Sequence, residues 1–228
     1  MAEVDKMSEG EIIQDLNNYL EELFIEDEFS GAVLVANQGN VLYKKAYGLA
    51  SKRYLIPNRT DTKFNLGSMN KMFTGVAVVQ LAEKGLLDFQ DKVGKYWPEY
   101  PNPEVAEKVS IHHLLTHTSG MGSYFNQQFV SAAKERYRQI IDYLPLFVDE
   151  PLRFEPGTRW EYSNSGFMLL GALIERISGQ DYFDYVRDNI YIPAGMTNTD
   201  AYEMDDDSVH NLAMGYTRMT ARAGKRIN

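Results

Sequence analysis

Apolar residues recur at helical spacing in Ile12, Ile13, Leu16, Leu20 and Leu23, behind a Ser8/Glu11 pair of capping-box form, so residues 9–25 are expected to form an amphipathic helix. Its apolar stripe needs a sheet or another helix to cover it. The period then changes. "GAVLVANQGNVLYKKAYGLA" at 31–50 consists of two β-rich runs around Asn37-Gln38-Gly39-Asn40, a hairpin signal. From Ser68 a nearly all-apolar helix is expected through Val76, Val79 and Leu81 to Lys84, with Gly85 placed to end it. Such a composition predicts burial on several sides. Residues 86–130 read as loops with short helices, Ser110 capping "IHHLL", and 131–149 as an amphipathic helix. After "FEPGTRWEYSNSG", the positions Phe167, Leu170, Leu173, Ile174 and Ile177 repeat helically as far as Gly179, and a further helix is expected over 181–190.

Composition narrows the function classes. The chain has 228 residues, 44% hydrophobic and 24% charged, enough for one large globular domain or two closely packed ones. A net charge of −9 argues against nucleic acid, whose phosphates want a basic face. With no cysteine, disulfides, thiol nucleophiles and thiolate metal sites are excluded. The histidines His112, His113, His117 and His210 lack acidic partners at a metal-binding spacing, so neither metal nor cofactor is expected. No apolar run reaches the length of a membrane span, and the first residues, "MAEVDKMSEGEIIQDL", have no basic stretch followed by an apolar core. The compartment stays open between cytoplasmic and exported with a leader removed.

Ser68 and Lys71 form a Ser-x-x-Lys tetrad, which puts a hydroxyl and an amine one helical turn apart on one face. The pattern alone is weak, because Ser131-Ala132-Ala133-Lys134 matches it too. Context separates them. Ser68 follows Gly67 at a loop-to-helix junction, where backbone N–H groups favour an oxyanion and the apolar helix would desolvate Lys71, whereas Ser131 lies among charged residues. The alternative is that Ser68 merely caps a buried helix. Tyr-x-Asn occurs three times, at Tyr100-Pro101-Asn102, Tyr124-Phe125-Asn126 and Tyr162-Ser163-Asn164. Only the last follows an ordered lead-in, with a Pro156-Gly157 turn, Trp160 as an apolar anchor and Asn164 at the start of a buried helix. Its alternative is a structural tyrosine with Asn164 as a helix cap.

Taken in order, "FNLGSMNK", "VSIHHLLTHTSGM" and "FEPGTRWEYSNSGFMLLGALIERISGQDYFDYVRDNIYIPAGMTNT" resemble the serine β-lactamase and penicillin-binding-protein-like superfamily, nearest the branch of class C β-lactamases, D-alanyl-D-alanine peptidases and related esterases. The resemblance covers about residues 28–200. It implies an α/β (α+β) fold of β-lactamase/transpeptidase type, an antiparallel sheet flanked by helices plus a mostly helical domain. On that template residues 1–60 hold the first helix and hairpin, 61–200 the helical domain, and 201–228 the return to the sheet domain. Residue by residue, Ser68 resembles the family's acylated serine, Lys71 its proton-accepting lysine and Tyr162 the tyrosine that relays protons to and from the leaving group. Asn164 resembles the asparagine that hydrogen-bonds the lysine or a substrate carbonyl. "LLTHTSGM" resembles a scaffold segment, so His113 and His117 read as packing or loop-fixing residues.

The family's third element, a Lys or His two residues before a Gly on a later strand, is missing after Asn164. The chain therefore resembles an N-terminal part of such a protein. A hairpin that needs further strands leads to the expectation that a complementary C-terminal segment or self-association completes it. The resemblance implies a hydrolase acting through an acyl-enzyme on a small-molecule or peptide substrate with an amide, β-lactam or ester carbonyl. The competing readings are an inactive relative used as a binding module and an unrelated structural domain.

Overall fold

The computed structural model describes residues 7–202 and 209–216. Of the expected return segment 201–228, only 201–202 and 209–216 fall among the described residues. The contacts divide the chain into two compact units, Met1–Leu66 with Met204–Asn228, and Gly67–Glu203.

In the first unit, α1 (Glu9–Ile25) starts at the expected capping box: Ser8 Oγ accepts the Glu11 N–H at 3.3 Å and the Glu11 carboxylate accepts the Ser8 N–H at 2.7 Å. Strands β1 (Gly31–Asn37) and β2 (Asn40–Tyr47) pair antiparallel with Gly31 opposite Tyr47, joined by a two-residue turn with Gln38 and Gly39 both at positive φ. Helix α1 leans on β2. Leu20 is buried, Tyr43 Oη donates to Asn17 Oδ1 at 3.2 Å, Lys45 pairs with Glu21, and the rings of Phe24 and Phe29 close on Tyr47. Two short strands, β3 (Leu49–Ser51) and β4 (Ile56–Pro57), form a second antiparallel pair. Residues 211–214 return beside them, Lys63 exchanging backbone bonds with Asn211 and Ala213, and the Met214 N–H reaching the Ala50 carbonyl.

The second unit is helical. A 3-10 turn at Gly67–Asn70 leads into α2 (Lys71–Glu83). Then follow α3 (Val93–Tyr96), α4 (Pro103–Lys108), α5 (Ile111–Leu115), α6 (Gln127–Ser131), α7 (Asn164–Ser178) and α8 (Tyr182–Val186). Helix α7 is the hub, touching α2, α3, α5 and α8, with Leu169, Leu170, Leu173 and Ile174 buried. It ends where expected, at a left-handed Gly179. The expected 181–190 helix is α8 running on into a π turn at Arg187–Tyr191.

Two expectations are corrected. Residues 131–149 do not form an amphipathic helix: α6 stops at Ser131, and 3-10 turns follow at Lys134–Arg136 and Ile140–Leu146. Pro145 lacks an N–H to continue a ladder and disfavours α geometry at Leu144, so Ile140, Leu144 and Leu146 are buried from a tighter turn instead. Helix α2 is not buried on several sides. Phe73, Thr74, Ala77, Val78 and Leu81 form one buried face, while Met72, Val76 and Val79 are 54%, 42% and 44% exposed. An all-apolar segment carries no periodicity to tell its faces apart.

Several tyrosines are held protonated by burial. Burial, aided by the charge of Asp149, pushes the Tyr100 phenol far above the usual range, and burial first, then neighbouring phenols, joined at Tyr191 by Asp200, pushes Tyr124 and Tyr191 up to about 12. In the unfolded chain these phenols ionise near pH ~10. The unfolded state then releases protons that the folded state keeps, so stability is constant below that range and falls as pH rises above it. Thermal unfolding followed from neutral pH to strongly alkaline pH is expected to show Tm level and then declining. A level Tm throughout would contradict these burials.

No helix among the described residues is long and apolar enough to cross a membrane, and no three metal-ligating side chains cluster among them.

Candidate active site

The four residues singled out in the sequence converge within the helical unit. Ser68 lies in the 3-10 turn before α2, where residues three apart eclipse, and this places Lys71 directly over it. Ser68 is not the cap of α2, since that position belongs to Asn70, which makes no side-chain capping bond. Instead Ser68 Oγ accepts two hydrogen bonds, from Tyr162 Oη at 2.6 Å and from Lys71 Nζ at 3.3 Å. Lys71 Nζ also donates to Asn164 Oδ1 at 2.9 Å and lies 4.9 Å from the centre of the Tyr162 ring and 5.4 Å from that of Phe167.

Asn164 can serve Lys71 because it is not a cap either. Ser163 caps α7, its Oγ accepting the Gly166 N–H at 2.9 Å and donating to the Gly122 carbonyl at 2.8 Å. The Asn164 amide nitrogen is left to reach Ser123 Oγ at 3.3 Å. This separates the three Tyr-x-Asn matches. Asn102 and Asn126 spend their side chains capping α4 and α6, and Tyr100 is buried. The second Ser-x-x-Lys match also fails, since α6 ends at Ser131, whose Oγ donates back to the Gln127 carbonyl.

Tyr162 is held by its lead-in. Backbone bonds lace 117–120 to 153–161: Arg153 N–H to Gly120 O, Gly157 N–H to Thr118 O and Glu161 N–H to His117 O, all at 2.8 to 2.9 Å. Trp160 is corrected from the expected apolar anchor. It is 65% exposed, its ring at the edge of His117 with centroids 6.1 Å apart. His113 completes the capping box of α5 with Ser110, and the His117 ring packs tilted against those of Tyr162 and Phe167, at interplanar angles of 38° and 37°. Sequence reasoning passed over Ser163 and the two-sided contact of His117. The first was legible in principle, because a serine between Tyr and Asn can cap.

Electrostatics favour proton exchange at Tyr162. Burial raises the phenol's pKa, but the adjacent Lys71 amine and the Ser68 hydroxyl outweigh it, and the net shift is downward. Burial, and then the charge of Lys71, hold His117 below the usual histidine range.

Residues 16–226 match the family described as Beta-lactamase. The chain belongs to that family. It is 35% identical over 205 residues to penicillin-binding protein 4* of Bacillus subtilis (strain 168), covering 88% of this chain and 45% of that protein. It is 36% identical over 189 residues to esterase EstB of Burkholderia gladioli, covering 75% and 47%. Among solved structures, a penicillin-binding protein from Bacillus halodurans superposes with a TM-score of 0.76 at 33% identity, covering 86% of this chain and 61% of that one. A class C β-lactamase in complex with cefoxitin superposes at 0.78 with 24% identity over 97% and 59%, a likeness of fold. The Beta-lactamase family chain thus spans about half the length of the curated relatives it matches. Its fold is that of the β-lactamases and penicillin-binding proteins, with helices and small antiparallel sheets.

Proposed function

We propose that the whole protein is a serine hydrolase that works through an acyl-enzyme on an amide, β-lactam or ester carbonyl. The observation that carries this is the convergence of the Lys71 amine and the Tyr162 phenol on one oxygen, Ser68 Oγ.

In the forward step the Lys71 amine takes the Ser68 hydroxyl proton as Oγ bonds to the carbonyl carbon, and the carbonyl π pair moves onto oxygen. The backbone N–H of Ser68, at the opening of the 3-10 turn and α2, is one donor for that oxyanion. Collapse breaks the C–N or C–O bond, and the leaving atom takes the Tyr162 phenolic proton. Lys71 passes its proton to the phenolate and both groups are reset. Water then attacks the ester with Tyr162 or Lys71 as base. Asn164, bonded to Lys71 at 2.9 Å, fixes the amine's position through the cycle. The names of the relatives, penicillin-binding proteins and an esterase, fit this range of carbonyl substrates.

The test is mass spectrometry of the full-length protein after incubation with a penicillin, an activated ester and a phosphonate, followed by peptide mapping. A single adduct on Ser68, absent from a Ser68→Ala variant, is the expected result. No adduct with any of the three would move the reading to an inactive binding relative.

A further inference from the structure

His117 stands outside the proton-transfer set yet grips its scaffold from two sides. Its backbone is at φ +59°, in the left-handed region where a non-glycine residue is uncommon. Held there, its carbonyl accepts the Glu161 N–H at 2.9 Å and its ring Nδ1 accepts the Ser163 N–H at 3.1 Å. One residue thus fixes the backbone immediately before and immediately after Tyr162. The imidazole also faces the Tyr162 ring, with centroids 4.6 Å apart, and the Phe167 ring at 5.1 Å. Ser163 is 1% exposed, so losing its acceptor would leave a desolvated donor at the start of α7.

We propose that His117 is a positioning residue: by accepting the Ser163 N–H through Nδ1, its imidazole holds the Tyr162 phenol on the Ser68 hydroxyl. For its kinetic consequence the inference rests on the hydrolase reading. A nitrogen that accepts a backbone N–H carries no proton of its own, so the ring proton sits on Nε2 and the ring is neutral. Burial and the nearby Lys71 charge both favour that neutral form. Among the described residues the hydrogen bonds of His117 go to backbone groups and not to Ser68 or Lys71. It orients the relay without joining it.

The geometry dictates the substitutions that test this. An asparagine places Oδ1 where Nδ1 sits and tolerates positive φ. A glutamine has the same amide chemistry but carries its acceptor one methylene too far, and a phenylalanine keeps a ring without an acceptor. In the full-length protein, His117→Asn is expected to acylate Ser68 with p-nitrophenyl ester within about threefold of wild type, and His117→Gln and His117→Phe to fall roughly 10- to 100-fold, in kcat more than in KM. A second readout needs no turnover. The alkaline titration of Tyr162 is followed by phenolate absorbance, as the difference between each protein and its Tyr162→Phe counterpart. In His117→Gln and His117→Phe the phenol is expected to titrate closer to an ordinary tyrosine, as its contacts with Lys71 and Ser68 loosen, and in His117→Asn to stay as in wild type. Circular dichroism checks folding, and His117→Gln decides the matter if His117→Phe does not fold. Wild-type acylation and unchanged Tyr162 titration in His117→Gln, or an equal loss in His117→Asn, would overturn the positioning role. If neither an ester, a penicillin nor a phosphonate labels wild-type Ser68, the hydrolase reading fails by itself. The titration still decides His117: a Tyr162 displaced in His117→Gln and retained in His117→Asn upholds it, and one unmoved in both overturns it.

Discussion

Replacing Lys71 with methionine, or Tyr162 with phenylalanine, is expected to lower ester turnover of the full-length protein by roughly 10² to 10⁴-fold, the usual contribution of a positioned acid or base. Each change removes one of the two donors that meet on Ser68 Oγ and leaves a side chain of nearly the same shape. Lys71→Met also strips Asn164 Oδ1 of its partner at 2.9 Å, so it is expected to be the more damaging of the pair. In the proposed cycle the proton taken from Ser68 and the proton given to the leaving group pass through the same two side chains. The double variant should therefore lose little beyond the worse single one, as groups acting as a unit do. The check is kcat/KM on p-nitrophenyl esters, with circular dichroism to show the fold intact. Near wild-type turnover in either variant would remove that residue from the mechanism.

The parts of the chain that could be read from sequence are those punctuated by local chemistry. Ser8 with Glu11 opens α1, the four residues Asn37 to Asn40 turn the hairpin, and Gly179 closes α7, each through contacts within a few residues. The segment 131–149 misled because its apolar positions Ile140, Leu144 and Phe147 could share one helical face, and only Pro145 argued against a helix. Trp160 misled for another reason: a large aromatic beside a turn reads as an anchor until the packing shows it 65% exposed. At the site, the residue types were legible in Ser68, Lys71, Tyr162 and Asn164. What joins them was not. That Ser163 caps α7 and so leaves Asn164 to Lys71, and that His117 reaches both sides of Tyr162, depend on 117–122 lying against 153–163. No period in the sequence marks that approach, because it is made by two irregular loops some forty residues apart.

The largest stability loss is expected at the tightest point of that same approach. Gly120 has φ +78°, and a Cβ added there would lie 2.4 Å from the carbonyl oxygen of Phe154, a backbone atom that cannot swing aside. Gly120→Ala therefore meets two penalties, left-handed strain and a steric overlap that forces 117–120 away from 153–161. Gly85 isolates the first penalty. It ends α2 at φ +69° with nothing within 4 Å of an added Cβ, so Gly85→Ala should cost only the left-handed term, about 1 to 2 kcal/mol. Gly120→Ala should cost at least about 3 kcal/mol, in the range reserved for broken packing. The overlap also strains the Arg153 N–H to Gly120 carbonyl bond and the Glu161 N–H to His117 carbonyl bond that steer Tyr162, so turnover should fall in molecules that remain folded. Urea unfolding of wild type and both variants separates the two terms by the shift in midpoint at constant m-value. Equal losses in the two variants would mean that the loop at Phe154 yields freely. In that event the backbone lacing of 117–120 to 153–161 is too soft to set the position of the phenol.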